Sequence, residues 1–388
     1  MKYTESEDLT VGGAVRAFDM LDASRRPRDF VCFSHLRWGF VQQRPQHLMT
    51  RFAREYRLFF VEEPVPTDAA APSIDTYGTD VGITLVVPRI PQGMDAEAAQ
   101  RSLLERFFAE RGIERPILWY YTPMSLAVSD HLPAAAVVYD CMDELSAFRG
   151  APPDLIDRER ALMRRADLVF TGGVSLYEAK RDLHGSVHAF PSSVDVAHFA
   201  RARGAVDEPE DQAGLPRPRL GFFGVIDERF DIDLLAAAAA LRPQWQFVML
   251  GPVVKIDPAT LPRAANIHYP GMRGYADLPR YLSGWDVAVM PFAMNESTRF
   301  ISPTKTPEFL ASGRPVVSTP VRDVVRTYGH TGLVHIAATP DAFVAACGKA
   351  LAVDRTSPEW LARVDAVLRD MSWDSTWGRM KGLIECVI

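Results

Sequence analysis

The sequence predicts an α/β fold built as two Rossmann-like, doubly wound halves, and three features predict it. Short continuous apolar runs rich in β-branched and aromatic residues alternate with longer helical patterns, as parallel strands covered on both faces require. The alternation occurs twice, on either side of "RARGAVDEPEDQAGLPRP" (201–218), whose proline, glycine and charge carry no periodicity and mark a linker. The chain has 388 residues, 47% of them hydrophobic, which is enough for two cores of ordinary size.

The first half, 29–200, follows a polar leader (1–28). It opens with "DFVCFSH" (29–35), a helix near 43–55, "RLFFVEE" (57–63), "ITLVVPRI" (83–90) and a helix near 95–111. "PILWYY" (116–121), "AVVYDCMD" (136–143), a helix near 153–165, "DLVFTG" (167–172), a helix near 175–183 and "VHAFPSS" (187–193) complete it. The second half, 219–371, repeats the scheme with "RLGFFGV", the alanine-rich "LLAAAAALR", "WQFVMLG", "NIHYPG", "DVAVMPF", "RPVVST" and "LVHIA". The tail, 372–388, reads as an amphipathic helix whose Trp373 and Trp377 need a surface to pack on.

Composition removes several classes of function. Lys and Arg total 43 against 49 Asp and Glu, so a net charge of -6 offers no attraction to nucleic acid or anionic lipid. The four cysteines (Cys32, Cys141, Cys347, Cys386) form no C-x-x-C pair and no cluster with histidine at ligand spacing, so no metal site and a reducing, cytoplasmic setting are expected. The first residues have charges but no apolar signal core, no later apolar run approaches about 18 residues, and Cys386 stands one place off the prenylation pattern. No membrane span and no secretory route are therefore expected. The first strand is followed by "SHLRWGFVQQRP", with Gly39 alone where a dinucleotide site needs G-x-G-x-x-G, and no Walker A, G-x-S-x-G, H-E-x-x-H or kinase signature occurs. "DID" (231–233) fits a metal-holding D-x-D pattern but reads better as the start of the helix 232–241, with Asp231 as its N-cap.

Residues 219–320 carry a family resemblance. "NIHYPGMRGYADLPRYLSGWDVAVMPF" followed by "SPTKTPEFLASGRPVVSTP" resembles the nucleotide-binding half of group 1 glycosyltransferases with the GT-B fold. The landmarks are Asn266, Gly271, Leu278, Trp285, Asp286 and Pro291, then Glu308, Ala311, Gly313 and Pro315 in E-x-x-A-x-G-x-P. "SHLRWGFVQQRPQHLMTRFAREYRLFFVEEP" and "YDCMDELSAF" look like a bacterial branch of such enzymes that builds cell-surface polysaccharides. The resemblance implies two domains facing across a cleft, donor in the second and acceptor in the first. It also implies a final helix crossing back onto the first domain, and no catalytic metal or other cofactor. The implied partners are a nucleoside diphosphate sugar, UDP ahead of GDP, and a glycan or lipid-linked acceptor that would bring peripheral membrane contact.

Expulsion of a nucleoside diphosphate calls for stabilisation of charge developing on phosphate oxygens. A helix start offers free N–H groups, and a lysine adds a point charge. Ser302, Pro303, Thr304 and Lys305 are thus assigned to the diphosphate, joined by Gly224 and Arg229 of "GFFGVIDERFDI", where relatives place Gly-Arg and Lys-Gly pairs. Glu308, three residues beyond Lys305 on one helix face, takes the ribose hydroxyls that the family pattern implies. Gly251, Met272 and Arg273 are candidate base contacts. Ser302-Pro303 and Thr306-Pro307 compete as helix starts, and Pro307 argues for the later one, with 302–305 as a loop.

The sequence departs from the family at Phe300, where the common pattern carries a second acid eight residues before the ribose glutamate; Glu296 is the nearest acid. Whether transfer retains or inverts the anomeric centre is therefore open. On the acceptor side stand His35, Arg37 and Trp38 of "SHLRW", Gln43 and Arg44 before the first helix, and the pair Asp143 and Glu144 at a strand end. Asp143 and His35 are the two candidate bases. Two alternatives accompany the transferase: a sugar-nucleotide epimerase of the same fold, and a degenerate protein that binds sugar nucleotides without catalysis. Oligomeric state, acceptor and donor sugar are not legible.

Overall fold

The computed structural model describes residues 27–388, so all but the last two residues of the expected leader lie outside the described residues. Among the described residues, nine strands form one sheet and six another. The first sheet comprises β1 (Asp29–Phe33), β2 (Arg57–Val61), β3 (Val65–Thr67), β4 (Ser73–Gly78), β5 (Thr84–Pro91), β6 (Ile117–Tyr120), β7 (Ala136–Cys141), β8 (Leu168–Thr171) and β9 (Val187–Ala189). Its order is β3-β5-β2-β1-β6-β7-β8-β9, parallel throughout except that β4 lies antiparallel on β5. The central strands are apolar on both faces because helices cover both: β1, β6, β7 and β8 are buried at every residue. β3 and β4 were not expected; half-exposed, they lack the apolar run that announces a buried strand.

The second sheet comprises β10 (Arg219–Phe223), β11 (Gln246–Leu250), β12 (Ile267–Gly271), β13 (Val287–Met290), β14 (Val316–Ser318) and β15 (Val334–Ile336). All pairs are parallel, in the order β12-β11-β10-β13-β14-β15. The chain starts this sheet at its centre and reverses direction between β10 and β13, which opens a crevice at the carboxyl ends of those strands. The helix Ile232–Leu241 begins as expected, with the Asp231 carboxylate accepting from the N–H of Leu234 at 2.9 Å.

Two segments join the halves. The stretch read as a linker is pinned to the second half: it holds a short helix, Glu210–Ala213, and a fully buried Gln212. The Gln212 Nε2 donates to Tyr281 O at 3.0 Å, and Trp285 Nε1 donates to Gln212 Oε1 at 2.8 Å. Such individual polar anchors leave no periodic trace in sequence. The final helix, Trp373–Glu385, lies on the helix Arg44–Phe52, and its Trp373, Met380 and Ile384 enter the first half's core beside Phe30, Phe52 and Trp119.

The halves are also latched directly. Asp323, at the start of the helix Arg322–Tyr328, accepts from the Ser175 N–H at 3.0 Å and from its hydroxyl. It thereby caps the helix Val174–Lys180 of the other half. Arg322 and Arg326 both reach Glu178 of that helix, at 3.1 and 2.9 Å.

Candidate active site

The carboxyl ends of the two sheets converge on one cleft. Loops after β7 and β8 contribute Met142, Asp143 and Gly172, while those after β10 and β13 contribute Gly224, Arg229 and Phe292. Lys305 and Glu308 line it from the helix Lys305–Ala311. That helix starts between the two expected positions, with Thr304 as N-cap, which puts Pro307 in the third helical position. A residue there has no intrahelical acceptor for its N–H, so proline breaks nothing.

On the second-half wall the key polar groups face the cleft unpaired. Among the described residues no carboxylate lies within 4 Å of the Lys305 ammonium, which sits 5.8 Å from the centre of the Phe222 ring. Burial holds the ammonium below the usual lysine range, against the pull of Glu308. Burial likewise pushes the Glu308 carboxyl up to about 8, against Lys305. Room for the lysine comes from Gly224: at φ +145°, a Cβ there would stand 2.0 Å from Lys305 Cε. Gly251 meets Gly224 backbone to backbone, since a Cβ on it would lie 1.8 Å from Gly224 O.

Other assigned residues of this wall are present but already partnered. Arg229 lines the cleft with its guanidinium on the buried Asp227, Nη2 to Oδ2 at 2.7 Å, and it lies 5.2 Å from the Phe148 ring centre. Arg273 binds the Tyr281 hydroxyl and Asp211, each at 2.6 Å, beside the exposed Met272. Ser302 O accepts from Ser192 Oγ at 2.8 Å, tying the 302–305 loop to the first half.

The first-half wall is different. Asp143 lines the cleft, and burial raises its carboxyl while Arg229 and Lys305 pull it down. Arg44, also at the cleft, grips Asp140 in a bidentate pair, both bonds 2.8 Å, and donates to Phe190 O at 2.7 Å. With Arg44 and Asp140 3% and 0% exposed, this pair is part of the interior rather than a free acceptor contact. Glu144 pairs with Lys180 at 2.7 Å, and Arg37 with Glu62 at 2.8 Å. The Trp38 N–H donates to the same Glu62, and its ring packs on Phe60 at 5.2 Å. Gln43 lines the cleft, its N–H on Gln46 Oε1 at 3.0 Å.

His35 is not among the lining residues. Burial, with Lys255 adding to it, lowers its imidazole to about 4, and its Nδ1 is buried without a partner. Glu296 stands outside the cleft, 76% exposed, beside Arg299 at 3.6 Å. The structure thus does not bring Glu296 to the place of the second acid. Phe300, at the place of the acid in the family pattern, packs instead against the first half's core cluster and does not line the cleft.

Sequence reasoning missed Phe148 and Lys255. The Phe148 ring, from the first half, lies between Arg229 and Lys255 of the second, the latter at 4.9 Å. It also missed Tyr275, which lines the cleft with its ring stacked on His198 at 4.3 Å. No motif marks any of the three; all depend on contacts between distant segments.

Comparisons with known proteins bear on the fold and on the family resemblance. Residues 217–352 match the family model described as glycosyl transferases group 1. The chain is 27% identical over 259 residues to TuaH of Bacillus subtilis (strain 168), named for a glycosyltransferase of teichuronic acid biosynthesis; the match spans 61% of this chain and 64% of that protein. Among solved structures, a sucrose-phosphate synthase of Thermosynechococcus elongatus superposes with a TM-score of 0.70 at 16% identity, over 93% of this chain and 99% of the other. An α,α-trehalose 6-phosphate synthase of Burkholderia multivorans does so with a TM-score of 0.64 at 14% identity, over 93% and 98%. The architecture is GT-B, and the resemblance to group 1 glycosyltransferases read from the sequence is borne out.

Proposed function

We propose that this chain, whose residues 217–352 match the group 1 glycosyltransferase model on a GT-B scaffold, moves a sugar from a nucleoside diphosphate donor to a glycan or lipid-linked acceptor. The observation that carries the proposal is Lys305 with Glu308: a cation and a carboxyl one turn apart, both facing the cleft, neither with an ion-pair partner among the described residues. In this reading the donor diphosphate lies against the 302–305 loop, and the Lys305 ammonium neutralises the negative charge that grows as the bond from sugar to phosphate breaks. Glu308 accepts from the ribose hydroxyls, and Gly251, Met272 and Arg273 border the base.

Asp143 faces the donor from the opposite wall and is our candidate to take the proton of the acceptor hydroxyl. Desolvation at the cleft supports that role, because a carboxyl shifted upward is a stronger base. UDP is proposed ahead of GDP. The similarity to a protein named for teichuronic acid biosynthesis supports a cell-surface polysaccharide as the acceptor class.

Calorimetric titration with UDP and GDP tests the donor site. One nucleotide should bind, and Lys305→Ala and Glu308→Ala should each weaken it; unchanged affinity in both variants overturns the assignment. Consumption of a nucleotide sugar in a donor panel, lost in Asp143→Asn, separates transfer from binding alone.

A further inference from the structure

The turn Leu145–Ala147 leads to Phe148, which leaves the first half and meets two loops of the second. Its ring is flanked by the guanidinium of Arg229 at 5.2 Å and the ammonium of Lys255 at 4.9 Å, within the range of cation–π attraction. The next residue reinforces the contact: the Arg149 N–H donates to Glu228 Oε1 at 3.3 Å. On the far side Arg229 is braced by Asp227, Nε to Oδ1 at 3.0 Å and Nη2 to Oδ2 at 2.7 Å. Lys255 has φ +61°, the sole positive φ outside glycine among the described residues. A lysine held in that sparsely populated region is over-determined by its surroundings. Arg229 lines the cleft and acts on both Asp143 and Lys305.

We propose that Phe148 is a positioning residue for the donor diphosphate: its ring, supplied by the opposite half and itself flanked by Lys255, works with Asp227 to set where the Arg229 guanidinium stands at the cleft. This rests on the nucleotide site proposed above. The ring adds no charge. It contributes one contact to the placement of Arg229, and it does so only while the halves are closed on each other, so alignment of this phosphate-facing charge is coupled to closure. Withdrawal of the first half would take the ring with it and leave Arg229 held by Asp227 alone.

The test separates a ring's quadrupole from apolar bulk. Phe148→Leu keeps apolar bulk without a π face, and Phe148→Tyr keeps the face. Affinities for the nucleoside diphosphate that binds and for its monophosphate are measured by calorimetry in each. Phe148→Leu should weaken the diphosphate roughly three- to tenfold, and the monophosphate less, while Phe148→Tyr stays within about twofold of the native protein. The proposal is overturned if Leu binds the diphosphate like the native residue, or if di- and monophosphate weaken equally in Leu, which would mark the ring as packing alone. Lys305→Ala serves as the control for the site itself: native affinity in that variant sinks the nucleotide site and leaves the Leu-to-Tyr contrast to be judged separately.

Discussion

The two walls of the cleft use the same residue types for opposite ends. On the first-half wall, Arg44 is paired at the cleft and Glu144 and Arg37 away from it, while among the described residues Asp143 faces the cleft with no ion pair. On the second-half wall, Arg229 and Arg273 are paired with Asp227 and Asp211, whereas Lys305 and Glu308 lie three residues apart and, among the described residues, have no ion-pair partner. Paired charges maintain a surface; unpaired charges, kept so at the cost of desolvation, are what a ligand can complete. A charged residue at a strand end is therefore weak evidence of function until its partner is known.

The strongest way to break this contrast is Arg44→Ala. It leaves Asp140 buried and uncompensated and should destabilise the protein by about 3–5 kcal/mol in urea unfolding. Replacing the pair together, Arg44→Met with Asp140→Leu, should cost far less. If Arg44→Ala instead unfolds like the native protein but binds acceptor poorly, the first wall is a binding wall after all. Next, Lys305→Ala should leave the unfolding midpoint nearly unchanged and lower turnover of a nucleotide sugar about 10²–10³-fold; loss of stability without loss of turnover would reverse the comparison.

A subtler effect comes from Glu308. Its carboxyl, ordinarily near 4.5, is pushed up to about 8 by burial, so folding takes up a proton between those values. This contribution to stability is present at low pH and declines as pH rises from about 4.5 toward 8. Glu308→Gln should flatten that decline when urea midpoints are compared across the window; a native slope in the variant would assign the decline to other groups. The smallest effect belongs to Arg37→Ala, which removes a partly exposed pair with Glu62 worth under about 1 kcal/mol. A large drop in turnover there would show that Arg37 leaves Glu62 to meet a substrate.

Lys305 and Glu308 were legible in the sequence because they stand among landmarks in fixed order, within 18 residues that also hold a glycine and three prolines. The partners of the first wall were not, because Arg44 meets Asp140 from 96 positions away and Arg37 meets Glu62 from 25. The same distinction runs through the fold. Buried parallel strands announce themselves as continuous apolar runs, and both sheets were readable that way. β4, exposed at four of six residues, and the pinned 210–213 segment depend on what they pack against. Phe300 was legible as a missing acid, but not as a side chain reaching the other half's core.

The return of the last helix to the first half carries a consequence for the order in which the protein is made. Trp373, Met380 and Ile384 complete a core whose last strand ends at Ala189, so the ribosome must add about 195 further residues, roughly 10–40 s of synthesis, before that core can close. Throughout that interval the seat formed by Phe52 and Trp119 is bare, and for its first 134 or so residues the helix Val174–Lys180 also lacks its Asp323 cap. The first half is thus made first and finished last, and a chain released early would carry an open apolar seat that chaperones must shield.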